Sequence, residues 1–377
     1  MEKAILLLSK IEGLGYKAYL VGGSVRDYLL KRDSFDIDIS TNMTPNLIME
    51  HFKSVPTGLK FGTVLVFYEG SNYEVTTFRK DLKYYDNRHP EGVVFSNKLE
   101  EDVLRRDFTI NGLYMDKNYQ VIDLVDGKQD LDNKVIKAIG NPNDRFKEDA
   151  LRMLRAFYLV SKLDFEIEKD TFLAIHKNKE LIKNISAERI IREIEKINEY
   201  PNSIKAFNQL VDSGLYLYLP GLQKGIKYLS DHDLKLSDNE FFSLSFYLNG
   251  SIDKFWKLSN RDKDLYKNVI SLLNEKEINE IVLFEYKLEE IKIAAVINEL
   301  LKVHPISETE IINKYLNMPI KSDDEIAISN HDIMNILNKK PGPWLKRIRN
   351  KIKDEILTNN LTNDYESLVK YIETRKR

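Results

Sequence analysis

Apolar and polar positions alternate along the first third of this chain and cycle with a helical period along most of the rest. Ala18-Tyr19-Leu20-Val21, Val64-Leu65-Val66-Phe67-Tyr68, Tyr73-Glu74-Val75-Thr76-Thr77-Phe78 and Gln120-Val121-Ile122-Asp123-Leu124 are short, β-prone runs that read as strands. Val25-Arg26-Asp27-Tyr28-Leu29-Leu30 instead has helical spacing. Up to about residue 140 the pattern therefore predicts a mixed α/β domain. From Asp144 onward nearly every stretch has a 3.6-residue period rich in Leu, Ile, Lys and Glu. It is interrupted by Tyr200-Pro201-Asn202, Leu219-Pro220-Gly221 and Lys340-Pro341-Gly342-Pro343. The remainder should be all-helical, in packets spanning 141–200, 201–305 and 306–377. No solenoid repeat or low-complexity tract interrupts it.

Length and charge bound the function. A chain of 377 residues can bury more than one core. Lys+Arg 57 against Asp+Glu 59 leaves a net charge of -2, so contact with nucleic acid must come from local basic surface. Such a surface is concentrated at Lys339, Lys340, Lys346, Arg347, Arg349, Lys351 and Lys353, and again at Arg375-Lys376-Arg377. A helix face in water carries runs of this kind too, and Trp344 beside them suits a core as well as a stacking platform. The absence of cysteine excludes disulfides and thiolate metal sites. Met1 to Lys10 is too short an apolar run for a signal peptide, and no segment reaches transmembrane length. A cytoplasmic location is the expectation.

Candidate chemistry begins with Gly22-Gly23-Ser24-Val25-Arg26-Asp27, placed where a strand passes into a helix. There, backbone N–H groups can approach phosphate oxygens without a Cβ in the way, and Arg26 adds a forked cationic donor. Asp36-Ile37-Asp38-Ile39 follows with strand alternation, so Asp36 and Asp38 project from one face. Two like charges side by side call for a cation, and hard oxygen ligands near phosphates suit Mg²⁺. Without the glycine turn, the same pair would read as solvated aspartates at a strand end.

Two further clusters carry charge in patterns able to grip a nucleotide. Arg105-Arg106-Asp107 sets two arginines beside an acid that can accept from a ribose hydroxyl. Glu148-Asp149-Ala150-Leu151-Arg152-Met153-Leu154-Arg155-Ala156 reads as one helix with Asp149, Arg152 and Arg155 three apart on a shared face. An aspartate accepts from an exocyclic amino group while an arginine donates to a ring nitrogen. Cytosine and adenine both offer an amino donor beside a ring acceptor; uracil and guanine present the reverse. One Asp/Arg pair could thus accept C and A and reject U and G. Either cluster alone would also serve as an ion-paired surface.

Together these clusters resemble the class II tRNA nucleotidyltransferases, the CCA-adding enzymes of the polymerase β nucleotidyltransferase superfamily, which also include bacterial poly(A) polymerases. Five separated motifs occur in family order between Tyr19 and about Glu195. The resemblance implies a polymerase β-like nucleotidyltransferase head over 1–140, then an all-α neck (141–200), body (201–305) and tail (306–377), the tail holding tRNA. It assigns Asp36 and Asp38 to two Mg²⁺ ions. Gly22, Gly23, Arg26, Arg106 and Arg155 fall to phosphates, Asp107 to the ribose, and Asp149 with Arg152 to the base. Asp123-Leu124-Val125-Asp126-Gly127-Lys128-Gln129-Asp130-Leu131 is similar to the family's head-to-neck linker, and Ala187-Glu188-Arg189-Ile190-Ile191-Arg192-Glu193 to the neck motif that buttresses the selecting helix. Glu74, expected to face inward on its strand, is either a third catalytic carboxylate or a structural acid.

Pro56-Thr57-Gly58-Leu59-Lys60-Phe61-Gly62-Thr63-Val64 resembles the CCA-adding branch rather than the poly(A) polymerases, and Arg79 to Pro90 looks like the flexible loop that enzymes stopping after CC lack. Transfer of CMP and AMP from CTP and ATP to the 3′ end of tRNA, with loss of pyrophosphate, is the implied reaction. Departures occur at Tyr158, where many relatives have another arginine and a hydroxyl would replace a phosphate contact, at Gly112 in place of alanine, and at Asp126 in place of glycine. A poly(A) polymerase would share the chemistry but ignore CTP. A noncatalytic RNA-binding protein would not need Asp36, Asp38, Asp149 and Arg152 together. A histidine-aspartate phosphohydrolase has only the isolated dipeptides His232-Asp233 and His331-Asp332 to draw on, in a chain with six histidines.

Overall fold

The structure, a computed structural model, describes residues 1–34, 36–82 and 91–375. It divides into two compact units, Met1–Leu236 and Ser237–Arg377. The first unit opens with helix α1 (Glu2–Gly13), whose buried Ala4, Leu7, Leu8 and Ile11 recur at helical spacing. That stripe covers one face of a seven-stranded sheet ordered β3-β4-β5-β2-β1-β8-β9. The strands are β1 (Ala18–Val21), β2 (Asp38–Thr41), β3 (Ser54–Gly58), β4 (Thr63–Tyr68), β5 (Ser71–Thr77), β8 (Leu113–Met115) and β9 (Val121–Asp123). Leu20, Ile39, Val64, Val66, Val75, Leu113 and Met115 point from the sheet into this core. Each fully buried aliphatic side chain there contributes roughly 1.5–3 kcal/mol.

Alternation sends the neighbouring residues to the opposite face. Val21 and Tyr114 lie there with Val103 and Ile139 in a second, smaller core. Among the described residues, the one parallel pairing in this sheet joins β2 to β5 and sets Asp38 beside Glu74, Ile39 beside Val75 and Ser40 beside Thr76. Glu74 is exposed, between buried Tyr73 and Val75. The expected inward orientation is thus reversed: the apolar neighbours take the core side and leave the acid on the open side with Asp38.

A short antiparallel ribbon, β6 (Arg79–Asp81) with β7 (Val93–Phe95), flanks the segment expected to be a flexible loop. Residues 83–90 of that segment lie outside the described residues. Helices α2 (Gly23–Leu29), α3 (Pro45–His51), α4 (Leu99–Val103) and α5 (Gly127–Asp132) complete the head. Asp126 holds the left-handed conformation that glycine favours, φ 60° and ψ 27°, at the start of α5. At Gly112 an added Cβ would come within 2.8 Å of Val125, so the smaller residue relieves crowding at this junction.

From Pro142 the unit is helical except for a two-residue strand at Glu166–Ile167. The expected single helix over 148–156 is two helices, α6 (Pro142–Glu148) and α7 (Leu151–Leu163), broken at Asp149, whose backbone is extended at φ −137° and ψ 104°. Aspartate side chains compete for backbone N–H groups, and Asp149 Oδ1 accepts from Leu151 N at 3.0 Å. Helix α7 is buried on nearly every side; α8 (Lys169–Asn178) follows it, and it packs against α9 (Ala187–Glu199) and α10 (Ser203–Asp212). Ser161 Oγ donates to Ile197 O at 2.6 Å, tying α7 to α9. The second unit is all-helical, with capping boxes at Ser237/Glu240, Ser307/Glu310 and Ser329/Asp332. Its helix Pro343–Leu357 exposes Lys346, Arg347 and Lys351, whereas Arg349 donates to Ile328 O and Asp323 O, and Lys353 pairs with Glu285. No helix among the described residues is long and apolar enough to cross a membrane.

Candidate active site

The glycine turn joins β1 to α2. Gly22 sits at φ 74°, a conformation open to glycine at no steric cost, and its N–H donates to Leu113 O at 3.2 Å. Arg26, one turn on, is 3% exposed. Its guanidinium donates to Asp27 Oδ1 at 2.8 Å and to Asn111 Oδ1 at 2.5 Å. In this state Arg26 braces the turn from beneath, and to reach a phosphate it would have to exchange those partners.

Asn111 continues the network, donating from Nδ2 to Asp107 Oδ1 at 3.2 Å. Asp107 is met from the other side by Arg155, with Nε at 2.7 Å and Nη2 at 2.6 Å. Burial opposes ionisation of Asp107, but Arg155 and the Phe108 N–H outweigh it and hold the carboxyl down at about 2. Asp107 in turn raises the Arg155 pKa. A continuous chain of charge-assisted bonds thus runs from the glycine turn to α7.

A second network lies under the arginine pair, and it was not read from the sequence. Asp102, fully buried on α4, accepts from Arg105 Nε at 2.8 Å, from Arg106 Nη2 at 3.1 Å and from the Tyr114 hydroxyl at 2.7 Å. Burial is the largest influence on it and pushes the pKa up, yet the two guanidiniums and the tyrosine hold it well below the usual carboxylate range. Arg106 also donates to Ser40 Oγ at 3.0 Å, which anchors it to the strand that carries Asp38. Glu100-Glu101-Asp102 looks like a surface acidic run; the i,i+3 and i,i+4 spacing from Asp102 to the two arginines was the signal available.

Asp149 and Arg152 do not pair with one another. Asp149 Oδ2 accepts from Arg189 Nη2 at 2.9 Å. Arg152 donates to Glu148 Oε2 at 2.8 Å and to Arg105 O at 2.6 Å. Each is oriented by another group, and both border a polar cavity of about 260 Å³ with Gly22, Gly23, Asp38, Arg106, Asp107 and Arg155. Arg189, noted in the sequence only as part of a buttressing segment, borders it too, with Nη1 buried and unpartnered. Arg26, Asp36 and Tyr158 lie instead on an adjoining cavity of about 730 Å³, which shares Gly23, Asp38, Asn111 and Arg155 with the first. Glu74 lines neither, though its register places it beside Asp38.

Asp38 lies at the meeting of the two cavities and is exposed to water. The surrounding protein nonetheless pushes its pKa up, and the neighbouring Glu74 and, less strongly, Asp36 add to the shift against Arg106 and Arg155. No group of three Asp, Glu or His side chains among the described residues is gathered closely enough to hold a metal ion by itself. The donors are nevertheless all carboxylate, and their mutual repulsion is the condition that a hard cation relieves. His232 is stacked on Tyr228, and His331 meets Asn335, so neither joins a metal cluster.

Comparison with known proteins agrees with this architecture. Residues 18–137 match the poly A polymerase head domain, 164–226 the probable RNA and SrmB-binding site of polymerase A, and 242–372 the putative second domain of tRNA nucleotidyltransferases. The chain is 39% identical over 386 residues to the CCA-adding enzyme of Ligilactobacillus salivarius, covering 98% of this chain and 95% of that protein. It is 36% identical to that of Staphylococcus haemolyticus, covering 97% and 96%. The Bacillus stearothermophilus CCA-adding enzyme, solved in complex with CTP, superposes with a TM-score of 0.84 at 31% identity over 100% of this chain and 97% of its own. With full-length identity of this order, and a head and helical region of the same build, the chain belongs to the CCA-adding enzymes, the tRNA nucleotidyltransferases.

Proposed function

We propose that this chain completes the 3′ end of tRNA with CCA, drawing on CTP and ATP and acting in the cytoplasm. The observation that carries the reading is the convergence of Asp149 and Arg152 on the cavity that also holds the glycine turn and Asp38. Nucleotide choice is then made by side chains and needs no template. The decisive experiment offers CTP alone, ATP alone and both to a tRNA ending at its discriminator base, and sequences the products. Full CCA ends with both nucleotides support the reading. Incorporation of A but never C would favour a poly(A) polymerase, whose head-domain model this chain also matches.

In the reaction the tRNA 3′-oxygen forms a bond to the α-phosphorus, and the bond from that phosphorus to the bridging oxygen breaks. The electron pair leaves with pyrophosphate, and the hydroxyl proton passes to water in the open cleft. Asp36 and Asp38, with Glu74 beside them, are the residues that would hold Mg²⁺. Two such ions would supply Lewis-acid stabilisation of the attacking and leaving oxygens. Arg106, held rigid by Asp102 and Ser40, presents its charge to the phosphates without reorganising. Asp107 and Arg155 neutralise each other here; a bound nucleotide would replace that pairing, the ribose hydroxyl going to Asp107 and a phosphate to Arg155.

Two expected outcomes follow from these roles. In Arg152→Ala, selectivity against UTP and GTP should fall by about 5- to 150-fold, since a bidentate base contact contributes ~1–3 kcal/mol of discrimination. Arg155→Ala should weaken all four nucleotides alike, because phosphates carry no base identity. Steady-state kcat/KM for the four triphosphates separates the two, and unchanged selectivity in Arg152→Ala would remove this residue from nucleotide choice. Deleting Leu82 to Pro90, which the ribbon β6–β7 flanks, should spare CC addition and suppress the terminal A. Full CCA ends from the shortened protein would show that this segment is not needed for the last nucleotide.

A further inference from the structure

Beyond Asp38, the larger cavity carries a set of groups that the reading above leaves unused. Along α7 the side chains of Arg152, Arg155, Tyr158 and Lys162 follow one another at steps of three and four, a stripe about 15 Å long at 1.5 Å per residue. Arg152 borders the smaller cavity, Arg155 both, and Tyr158 and Lys162 the larger one. Lys196 reaches the same wall from α9. Its Nζ stands 5.6 Å from the Tyr158 ring centre, and Lys162 Nζ stands 5.8 Å from that of Tyr200. The two rings contact one another at 5.8 Å between centroids.

The charges here are only partly neutralised. Lys162 Nζ lies 3.0 Å from Asp27 Oδ2, while Arg26 takes the other oxygen of the same carboxylate, so two cations share one anion. Lys196 makes a single 3.1 Å bond to Glu193, and its side chain remains 46% exposed. Burial raises the Tyr158 pKa, which keeps its hydroxyl protonated and able to donate. Aromatic faces hold an ammonium in place without cancelling its charge.

We propose that Lys162 and Lys196, set on the Tyr158–Tyr200 ring pair, hold the terminal phosphates of the incoming nucleotide and then the departing pyrophosphate. The proposal rests on the nucleotidyl-transfer reading above and names the cations for its leaving group. A nucleotide whose base meets Asp149 and Arg152, and whose α-phosphate lies at Asp38, has its tail directed along the remaining stripe. In-line displacement places the attacking hydroxyl opposite the leaving group, so the RNA end and the pyrophosphate cannot enter Asp38 from the same side. The lysine-lined wall continues the nucleotide's path and is therefore assigned to the tail.

The test uses the full chain and inorganic pyrophosphate as the probe. In Lys162→Gln and in Lys196→Gln, which keep a hydrogen-bonding amide but remove the charge, the pyrophosphate inhibition constant should rise about tenfold, the scale of one charge-assisted contact. KM for CTP and for ATP should rise by the same factor, while inhibition by CMP, which lacks the tail, stays within twofold. Tyr158→Arg, one turn beyond Arg155, should move pyrophosphate inhibition in the opposite direction. Unchanged pyrophosphate inhibition in both lysine variants would overturn the proposal. So would equal weakening of CMP and pyrophosphate, or a rise confined to the KM for tRNA, which would place the RNA strand here. A wild-type protein that adds no nucleotide to tRNA would instead sink the underlying reading, whereas calorimetric binding of pyrophosphate would still report on the lysines.

Discussion

Asp38→Asn should slow nucleotide addition by about 10³-fold or more while leaving thermal stability at or above that of the wild type. On the function proposed above, the loss follows from removing a carboxylate at the meeting of the two cavities that would hold Mg²⁺, whose stabilisation of the reacting oxygens would contribute several kcal/mol at ~1.36 kcal/mol per tenfold in rate. The stability result follows from electrostatics. The surrounding protein and Glu74 raise the Asp38 pKa, so its ionised form is disfavoured in the fold relative to the unfolded chain. Above the unfolded pKa that charge therefore opposes folding, and a neutral isostere relieves the opposition. Single-turnover addition of CMP, tRNA binding on filters and a thermal melt test these points together. Turnover near wild type with Mg²⁺ would remove Asp38 from the chemistry, and a lowered melting temperature would show that the acid stabilises the fold.

Asp102→Ala should be the most destabilising single change near the site, costing about 3–5 kcal/mol, because it leaves two guanidiniums and a tyrosine hydroxyl without their shared acceptor. Both tryptophans, Trp256 and Trp344, lie in the second unit and would not report the change. Hydrogen exchange at the amides of β1 and β2 would. In the surviving folded fraction, KM for CTP and ATP should rise together, since Arg106 would no longer be fixed by Asp102. Protection within ~1 kcal/mol of wild type would show that Ser40 and Tyr114 suffice to hold the arginine. Asp102→Asn, which keeps acceptor and shape but not charge, should fall between the two.

Much of the architecture was legible because it depends on local periodicity. β1 occupies Ala18–Val21, the run first read as a strand, and the change to helix comes where the 3.6-residue pattern begins. The glycine turn was legible as well, since a positive φ between an apolar strand and a helix calls for glycine. The motif order along the chain was enough to indicate the enzyme family, but the expected strand alternation of Asp36 with Asp38 fails: β2 begins at Asp38, and Asp36 lies before it, on the larger cavity alone.

Three things depended on residues far apart in sequence meeting in space. The break at Asp149 depends on the competition between helix propagation and an aspartate whose side chain accepts from Leu151 N at the start of the next helix, with Arg189 holding it 40 residues away. Glu74 takes the open side because its neighbours Tyr73 and Val75 are claimed by a core built from α1 and four other strands. The partners of Asp102 and Arg26 come from separate elements, and the exchange that leaves Arg26 beneath the turn and Arg106 facing the cavity arises only when Asn111 and Tyr114 arrive. Residue type and spacing by themselves thus determined which charges this protein carries and, Asp36 and Asp149 apart, on which strand or helix the expected site residues lie. Tertiary packing alone decided which of them neutralise one another and which face a ligand, because a buried charge goes to whichever partner the fold brings within hydrogen-bond reach.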